Sequence, residues 1–159
     1  MKDDYLDNMG REEAEELLAQ FEAGNLTQEQ VRDGLAKVWG TAARPGVLLT
    51  PKQWRDLWQF AGHIHLYRET PNGPIMWKET ARPAAGIRLY RCSDVAFRAN
   101  PSWTESEYQA RYWLDGDTVW VAEFAPERLL ATVAIQPNGE TEYIAYAEDL
   151  ELRIHRRLM

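Results

Sequence analysis

The sequence has only one cysteine, Cys92, so it cannot form a disulfide within the chain. A lone thiol fits a protein of a reducing compartment. Histidine is scarce too, with three residues in a chain of 159. His63 and His65 alternate as they would along a strand, but no second cysteine or carboxylate pattern completes a zinc ligand set. We therefore expect no metal site.

Long apolar runs are also missing from the sequence. No run reaches the roughly 18 residues that a membrane-spanning helix needs. The first residues, Met1 to Asp4, are acidic and do not resemble the apolar core of a secretory signal. We expect a soluble protein of the cytoplasm that does not bind membranes.

Positive charge is in short supply, with 18 Lys and Arg against 25 Asp and Glu and a formal net charge of -7. A general nucleic-acid binder needs a basic surface, so the composition argues against that class of protein. The only locally basic stretch is 153–157, and a solvent-exposed chain end explains it. The acidic balance still permits docking on a basic partner.

The first part of the chain is typical of helices. Residues 10–23 carry an apolar stripe with glutamates at the start, where they favour the positive end of a helix dipole. The pattern Thr-x-x-Gln occurs at 27–30 and again at 50–53, and each copy is a capping box that begins a helix. We interpret residues 1–62 as a helical region.

From His63 onward, short apolar runs alternate with turn residues, which indicates strands. The predicted strands are 64–67 and 75–78 in a hairpin, 87–90, 119–124, 131–135, 142–146 and 150–154, with a helix over 104–114 and a turn at 137–139. Helices followed by a strand-rich region predict an α+β fold. We divide it into a helical region at 1–62 and an α+β domain at 63–159.

Two fragments of the second half have side chains suited to an anionic ligand. Arg91 follows the predicted strand 87–90, and its planar fork of donors with a permanent charge suits a pyrophosphate. Ser102 and Thr104 share a face if their segment is extended. Thr104 with Glu107 also fits a capping box, which leaves Ser102 to point into a cleft and bond to a carboxylate.

Glu140 and Glu142 form a third fragment, between the predicted turn at 137–139 and an apolar run. If a strand begins at Glu140, both carboxylates lie on one face of it. Two like charges at such a short distance repel each other, so the stability of the fold does not favour the pair. Acidic pairs at strand edges also occur as a means of keeping proteins soluble. The pair is therefore a candidate for catalysis.

In this order, Arg91, the Ser-x-Thr of 102–104 and the Glu-x-Glu of 140–142 resemble the Arg–Ser–Glu signature of the arginine-type ADP-ribosyltransferases. The surroundings, over about residues 86–150, are similar to compact toxin-like and phage-borne members of that family. The resemblance implies a split β-sheet fold for the second half of the chain, with NAD as a consumed substrate and no metal. It does not cover the helical region.

The resemblance also implies roles for the motif residues. Arg91 would hold a phosphate or the nicotinamide-side ribose of NAD. Ser102 would orient Glu142, whose carboxylate would bind the 2′-hydroxyl of that ribose while positive charge develops on the sugar. Glu140 would orient the acceptor, an arginine on a protein target, and help to remove its proton.

Two further residues are candidates for contact with NAD. Thr104 belongs to the Ser-x-Thr motif. An aromatic side chain within 108–113, such as Tyr112, would stack on the nicotinamide, although packing in the core also explains these residues.

Other functions remain compatible with the same residues. An NAD glycohydrolase would use the same site with water as the acceptor. A non-catalytic acidic interaction or inhibitor protein, built on the same fold, would act through its helices or its negative surface. Cys92 and Pro101, at or near positions where the family often has glycine, favour that interpretation, as does the charge of -7. A purely structural domain would explain each fragment by caps and turns.

Overall fold

The computed structural model describes residues 4–113, 116–135 and 140–158. Its α-helices are α1 (Asp4–Asn8), α2 (Arg11–Glu22), α3 (Gln28–Thr41), α4 (Pro51–Ala61) and α5 (Glu107–Trp113). Its strands are β1 (Ile64–Tyr67), β2 (Met76–Glu79), β3 (Ile87–Ser93), β4 (Ser102–Trp103), β5 (Thr118–Phe124), β6 (Leu129–Ala134), β7 (Glu142–Ala145) and β8 (Arg153–Arg157). No helix in the described ranges is long and apolar enough to cross a membrane.

The strands form two sheets. The larger sheet has the order β2-β1-β6-β7-β4 and the smaller one has the order β3-β5-β8. The pairs are antiparallel except for β1 with β6, which run parallel. Helices and two sheets together make an α+β protein, as the sequence predicts.

Both predicted capping boxes of the helical region are present. The hydroxyl of Thr27 accepts from the backbone N–H of Gln30 while the Gln30 side chain accepts from the backbone of Thr27. Thr50 and Gln53 repeat the arrangement at the start of α4. Because each box satisfies two backbone donors within four residues, it forms independently of distant contacts. This local character explains why the sequence predicts both helix starts correctly.

The helical region packs on one face of the larger sheet. The apolar stripes of α3 and α4 are buried against Ile64, Leu66, Val133 and Ile144 of the sheet in one continuous core. This core includes residues from both sides of the predicted boundary at residue 62. The division into 1–62 and 63–159 therefore stays a prediction.

A second core lies between the two sheets. It contains Leu89 of the smaller sheet, Trp103 of the larger sheet and Phe124, whose ring meets that of Trp103 edge to face at 4.8 Å. The backbones of Tyr90 and Thr104 exchange two hydrogen bonds, of 2.7 Å and 3.0 Å. The edge strand β3 of the smaller sheet is thereby tied to the residue that directly follows β4, an edge strand of the larger sheet.

Several predicted boundaries in the second half are wrong. Strand β3 continues to Ser93 rather than ending at residue 90, because it pairs with β5 along its whole length. Helix α5 begins at Glu107 and not at Thr104, whose backbone is held in the bridge to Tyr90. The last strand is β8 and not 150–154, because its pairing with β5 fixes the position. The predicted turn at 137–139 lies outside the described residues.

Candidate functional site

A cleft of about 480 Å³ opens between the helical region and the strands. This volume falls in the range of small-molecule sites. One wall comes from α1, the end of α3 and the loop after it, and includes Asp7, Trp39 and Arg44. The opposite wall is built by the strand region. It contributes Arg91, Asp94, Phe97, Asn100, Ser102, Ile135 and Glu142.

Glu142 faces this cleft because of the register of β7. It pairs with Val133 of β6, whose side chain is buried in the core beneath the helices. Paired residues share a face of a sheet, so the Glu142 side chain points to the same side as the helices. Only 7% of Glu142 is exposed. A carboxylate so enclosed needs hydrogen-bond donors around it.

Ser102 and Trp39 both donate to the same oxygen of Glu142. The Ser102 hydroxyl bonds to Oε2, across the pairing of β4 with β7. The indole Nε1 of Trp39 lies 3.5 Å from that oxygen. The ring of Trp39 is itself fixed edge to face against Trp54 and Trp58, at 4.8 Å and 5.2 Å. The carboxylate is therefore positioned by both walls of the cleft.

Arg91 lies inside β3 rather than after it and is 6% exposed. Its Nε donates to the carbonyl oxygen of Phe97 at 3.0 Å, and its Nη1 donates to that of Ser102 at 2.8 Å. The guanidinium thus fastens the segment that leads into β4. It also brings a permanent positive charge close to the Ser102–Glu142 pair.

The remaining predicted site residues lie elsewhere. Thr104 is fully buried, and its Oγ1 accepts from the backbone N–H of Ser106 at 3.2 Å. The predicted capping box of Thr104 with Glu107 is wrong, because Ser106 caps α5 by accepting from the N–H of Gln109. Tyr112 is 66% exposed on α5 and is not among the described residues that line the cleft.

Glu140 lies two residues before β7, so the strand does not begin with it as the shared-face prediction assumed. Its side chain is half-buried, and it is not one of the lining residues in the described part of the chain. The structure therefore brings together Arg91, Ser102 and Glu142. Glu140 lies two residues before Glu142 in the chain and is not among the described residues that line the cleft.

The sequence did not identify the wall from the helical region. In the sequence, Trp39 belongs to the apolar stripe of a helical segment, Arg44 stands in a stretch with proline and glycine, and Asp7 belongs to no motif. A tryptophan at a helix end and an arginine before a proline are weak signals on their own. Their place opposite Glu142 follows from long-range packing of α3 on the sheet, which a local pattern does not carry.

The arrangement has a defined chemical capacity. A carboxylate held in one orientation can stabilise a developing positive charge, because it needs no reorganisation during the reaction. Arg91 and Arg44 line the cleft beside the carboxylates of Asp7, Asp94 and Glu142. The two guanidinium groups offer donors of the kind that bind phosphate oxygens. The cleft thus joins features that suit a phosphate-bearing glycoside.

Comparison with known proteins does not assign the chain to a family. No family model, no curated protein and no solved structure significantly matches the chain.

Proposed function

We propose that this protein is a mono-ADP-ribosyltransferase, which cleaves NAD and transfers ADP-ribose to a protein acceptor, most simply an arginine side chain. The observation that carries the proposal is the hydrogen bond from Ser102 to Glu142 in a cleft that Arg91 also lines. The resemblance to the Arg–Ser–Glu signature implies this pairing of serine with glutamate. Three residues far apart in the sequence thus meet around one small-molecule cleft.

In the proposed reaction, NAD binds with its nicotinamide-side ribose at Glu142. The carboxylate accepts a hydrogen bond from the 2′-hydroxyl, and this bond strengthens as the sugar becomes an oxocarbenium-like cation. The C–N bond to nicotinamide breaks, and nicotinamide leaves with the electron pair as a neutral molecule. A nitrogen of the acceptor arginine then forms the new bond to C1 of the ribose and loses a proton.

Glu140 is the proposed base for that proton. It is half-buried at the entrance to β7, two residues from Glu142. A guanidinium is protonated at neutral pH, so a carboxylate both attracts it and takes up its proton during attack. A residue outside the lining of the cleft suits contact with a macromolecular acceptor, which arrives from solvent.

The proposal extends to the fold of the strand region. The two sheets, joined at the bridge between Tyr90 and Thr104, would be the split sheet of an ADP-ribosyltransferase-like domain. Support comes from the origin of the site residues, since Arg91 lies in the smaller sheet while Ser102 and Glu142 lie in the larger one. The resemblance implies a cleft between two sheets, whereas the cleft that these residues line has its second wall from the helical region.

Incubation of the purified protein with NAD labelled in the ADP-ribose half, together with a cell lysate, tests the proposal. We expect label on a protein band that is missing with Glu142→Gln, a nearly isosteric change that removes the charge. Free labelled ADP-ribose without a band would assign the site to a glycohydrolase instead. If neither product forms, catalysis is contradicted, and the search turns to a binding partner of the helical region.

A further inference from the structure

The wall of the cleft that comes from the helical region has its own cation, Arg44. The residue lies in the loop after α3, and 38% of its side chain is exposed. Its Nη1 bonds to the carboxylate of Asp7 in α1 at 2.9 Å, and Asp7 also lines the cleft. The chain thus already places one anion on Arg44 within the proposed NAD site.

Arg91 is less suited to this task than its place in the sequence motif suggests. It is nearly buried, and its Nε and Nη1 donate to carbonyl oxygens of Phe97 and Ser102. A phosphate that took these donors would detach the segment that holds Ser102 beside Glu142. Binding of a phosphate at Arg44 leaves that segment intact.

The backbone around Arg44 lies close to the opposite wall of the cleft. Proline at position 45 disfavours the helical conformation for the residue before it, and Arg44, with φ -136° and ψ 74°, lies outside the helical region. Gly46 follows, and a Cβ there would lie 3.1 Å from the side-chain nitrogen of Asn100 on the opposite wall. The loop therefore approaches the strand region closely, and glycine at this position allows the approach.

The position of α1 is fixed at its junction with α2. Gly10 has φ +82°, in the left-handed region that favours glycine. A Cβ on Gly10 would lie 2.9 Å from the Cβ of Ala42, so the junction packs directly against the loop that carries Arg44. Asp7 therefore reaches Arg44 from a short helix anchored at its C-terminal end.

We propose that Arg44 binds the phosphate groups of the dinucleotide in this cleft and that Asp7 occupies the same guanidinium until the ligand displaces it. The choice of ADP-ribose as the bound group rests on the proposed function. Guanidinium bonds carboxylate and phosphate in the same geometry, so one anion exchanges for the other without rebuilding the site. Asp7 then sets the affinity, because the ligand competes with it.

Calorimetric titration with ADP-ribose tests this, because binding needs no catalysis. We expect Arg44→Gln to weaken binding about tenfold or more, the usual effect of losing a charge-assisted bond. Asp7→Asn should bind more tightly than the wild type, which an ion pair of purely structural role does not predict. Adenosine, which has no phosphate, should show neither change. Arg88→Gln is the matched control, since Arg88 is exposed on β3 and paired with Glu123.

Three results would overturn the inference. They are unchanged affinity in Arg44→Gln, no gain in Asp7→Asn, and absence of ADP-ribose binding in every variant. Nicotinamide release that depends on Glu142, together with unchanged ADP-ribose affinity in Arg44→Gln, would leave the transferase proposal standing and remove this one. The expected affinity changes without any NAD cleavage would support the role of Arg44 and contradict the transferase proposal.

Discussion

Ser102 and Glu142 are joined by a hydrogen bond from the serine hydroxyl to Oε2, across the pairing of β4 with β7. The bond fixes the orientation of a carboxylate that is otherwise enclosed at the edge of the cleft. Since Trp39 approaches the same oxygen, the two donors define where Glu142 can meet a substrate.

Removal of the serine hydroxyl should impair catalysis much more than folding. We expect Ser102→Ala to lower the kcat for nicotinamide release by about tenfold to a hundredfold, because small misplacements of a reacting group cost rates of this order. Ser102→Thr keeps the hydroxyl in a strand and should retain most of the activity. Steady-state kinetics with NAD measures both variants. Equal losses in the two would mean that the hydroxyl does not orient Glu142.

The indole N–H of Trp39 should matter separately from its bulk. Trp39→Phe and Trp58→Phe remove similar volume from one buried cluster, and each should lower the free energy of unfolding by about 1–3 kcal/mol. Of these two tryptophans, Trp39 bonds to Glu142, whereas the Nε1 of Trp58 is buried with no partner among the described residues. We therefore expect a several-fold loss of kcat in Trp39→Phe alone.

Urea denaturation beside NAD turnover separates the two effects. A loss of turnover shared by both tryptophan variants would assign the role of Trp39 to packing.

Arg91 should be important for stability as well as for the site. The donors of lysine all lie on one nitrogen, so they cannot take the positions of the Arg91 Nε and Nη1 that bond to the carbonyls of Phe97 and Ser102. Arg91→Lys should therefore lower the free energy of unfolding by about 1–3 kcal/mol. The control is Arg88→Lys, at an exposed ion pair on the same strand, which should change stability by no more than about 0.5 kcal/mol. Similar values for both variants would contradict the fastening role of Arg91.

His65 should make stability fall in mild acid. Burial, followed by the nearby charge of Lys78, lowers the pKa of His65 from its usual 6.5, despite a hydrogen bond to Thr132 that raises it. The unfolded chain therefore takes up the proton first, and the stability present at neutral pH is lost as the pH falls through 6.5 toward the folded value. The pKa of His63 is lowered too, and burial is again the largest cause.

Thermal unfolding at about pH 7.5 and pH 5.5 measures the effect, on either side of the ordinary range of histidine. The fall in Tm between these two values should be smaller in His65→Gln than in the wild type. An equal fall would show that His65 does not contribute.

The parts of the fold that the sequence predicts are those decided within a few residues. The capping boxes at Thr27 and Thr50 belong to this class. Thr104 shows the opposite case, since its sequence fits a helix start. Its backbone bonds to Tyr90, a residue on another sheet, override that local preference.

The candidate site divides in the same way. Arg91, Ser102 and Glu142 are predicted from a resemblance to a family signature, and the structure places all three at one cleft. Trp39 and Arg44 were not found, because they reach the cleft only through the packing of α3 on the larger sheet. Tyr112 looked like a stacking aromatic in the sequence, but α5 packs through its other side and leaves that ring exposed.

The most direct test of the account is nicotinamide release from NAD by the purified protein, with a small guanidino compound present as acceptor. The account predicts steady release by the wild type, at a rate lower by about a hundredfold or more in Glu142→Gln, the usual effect of removing a charge that stabilises a transition state. The circular dichroism of the two proteins should be the same. Release at the same rate in both, or no release by the wild type, would contradict the central role of Glu142.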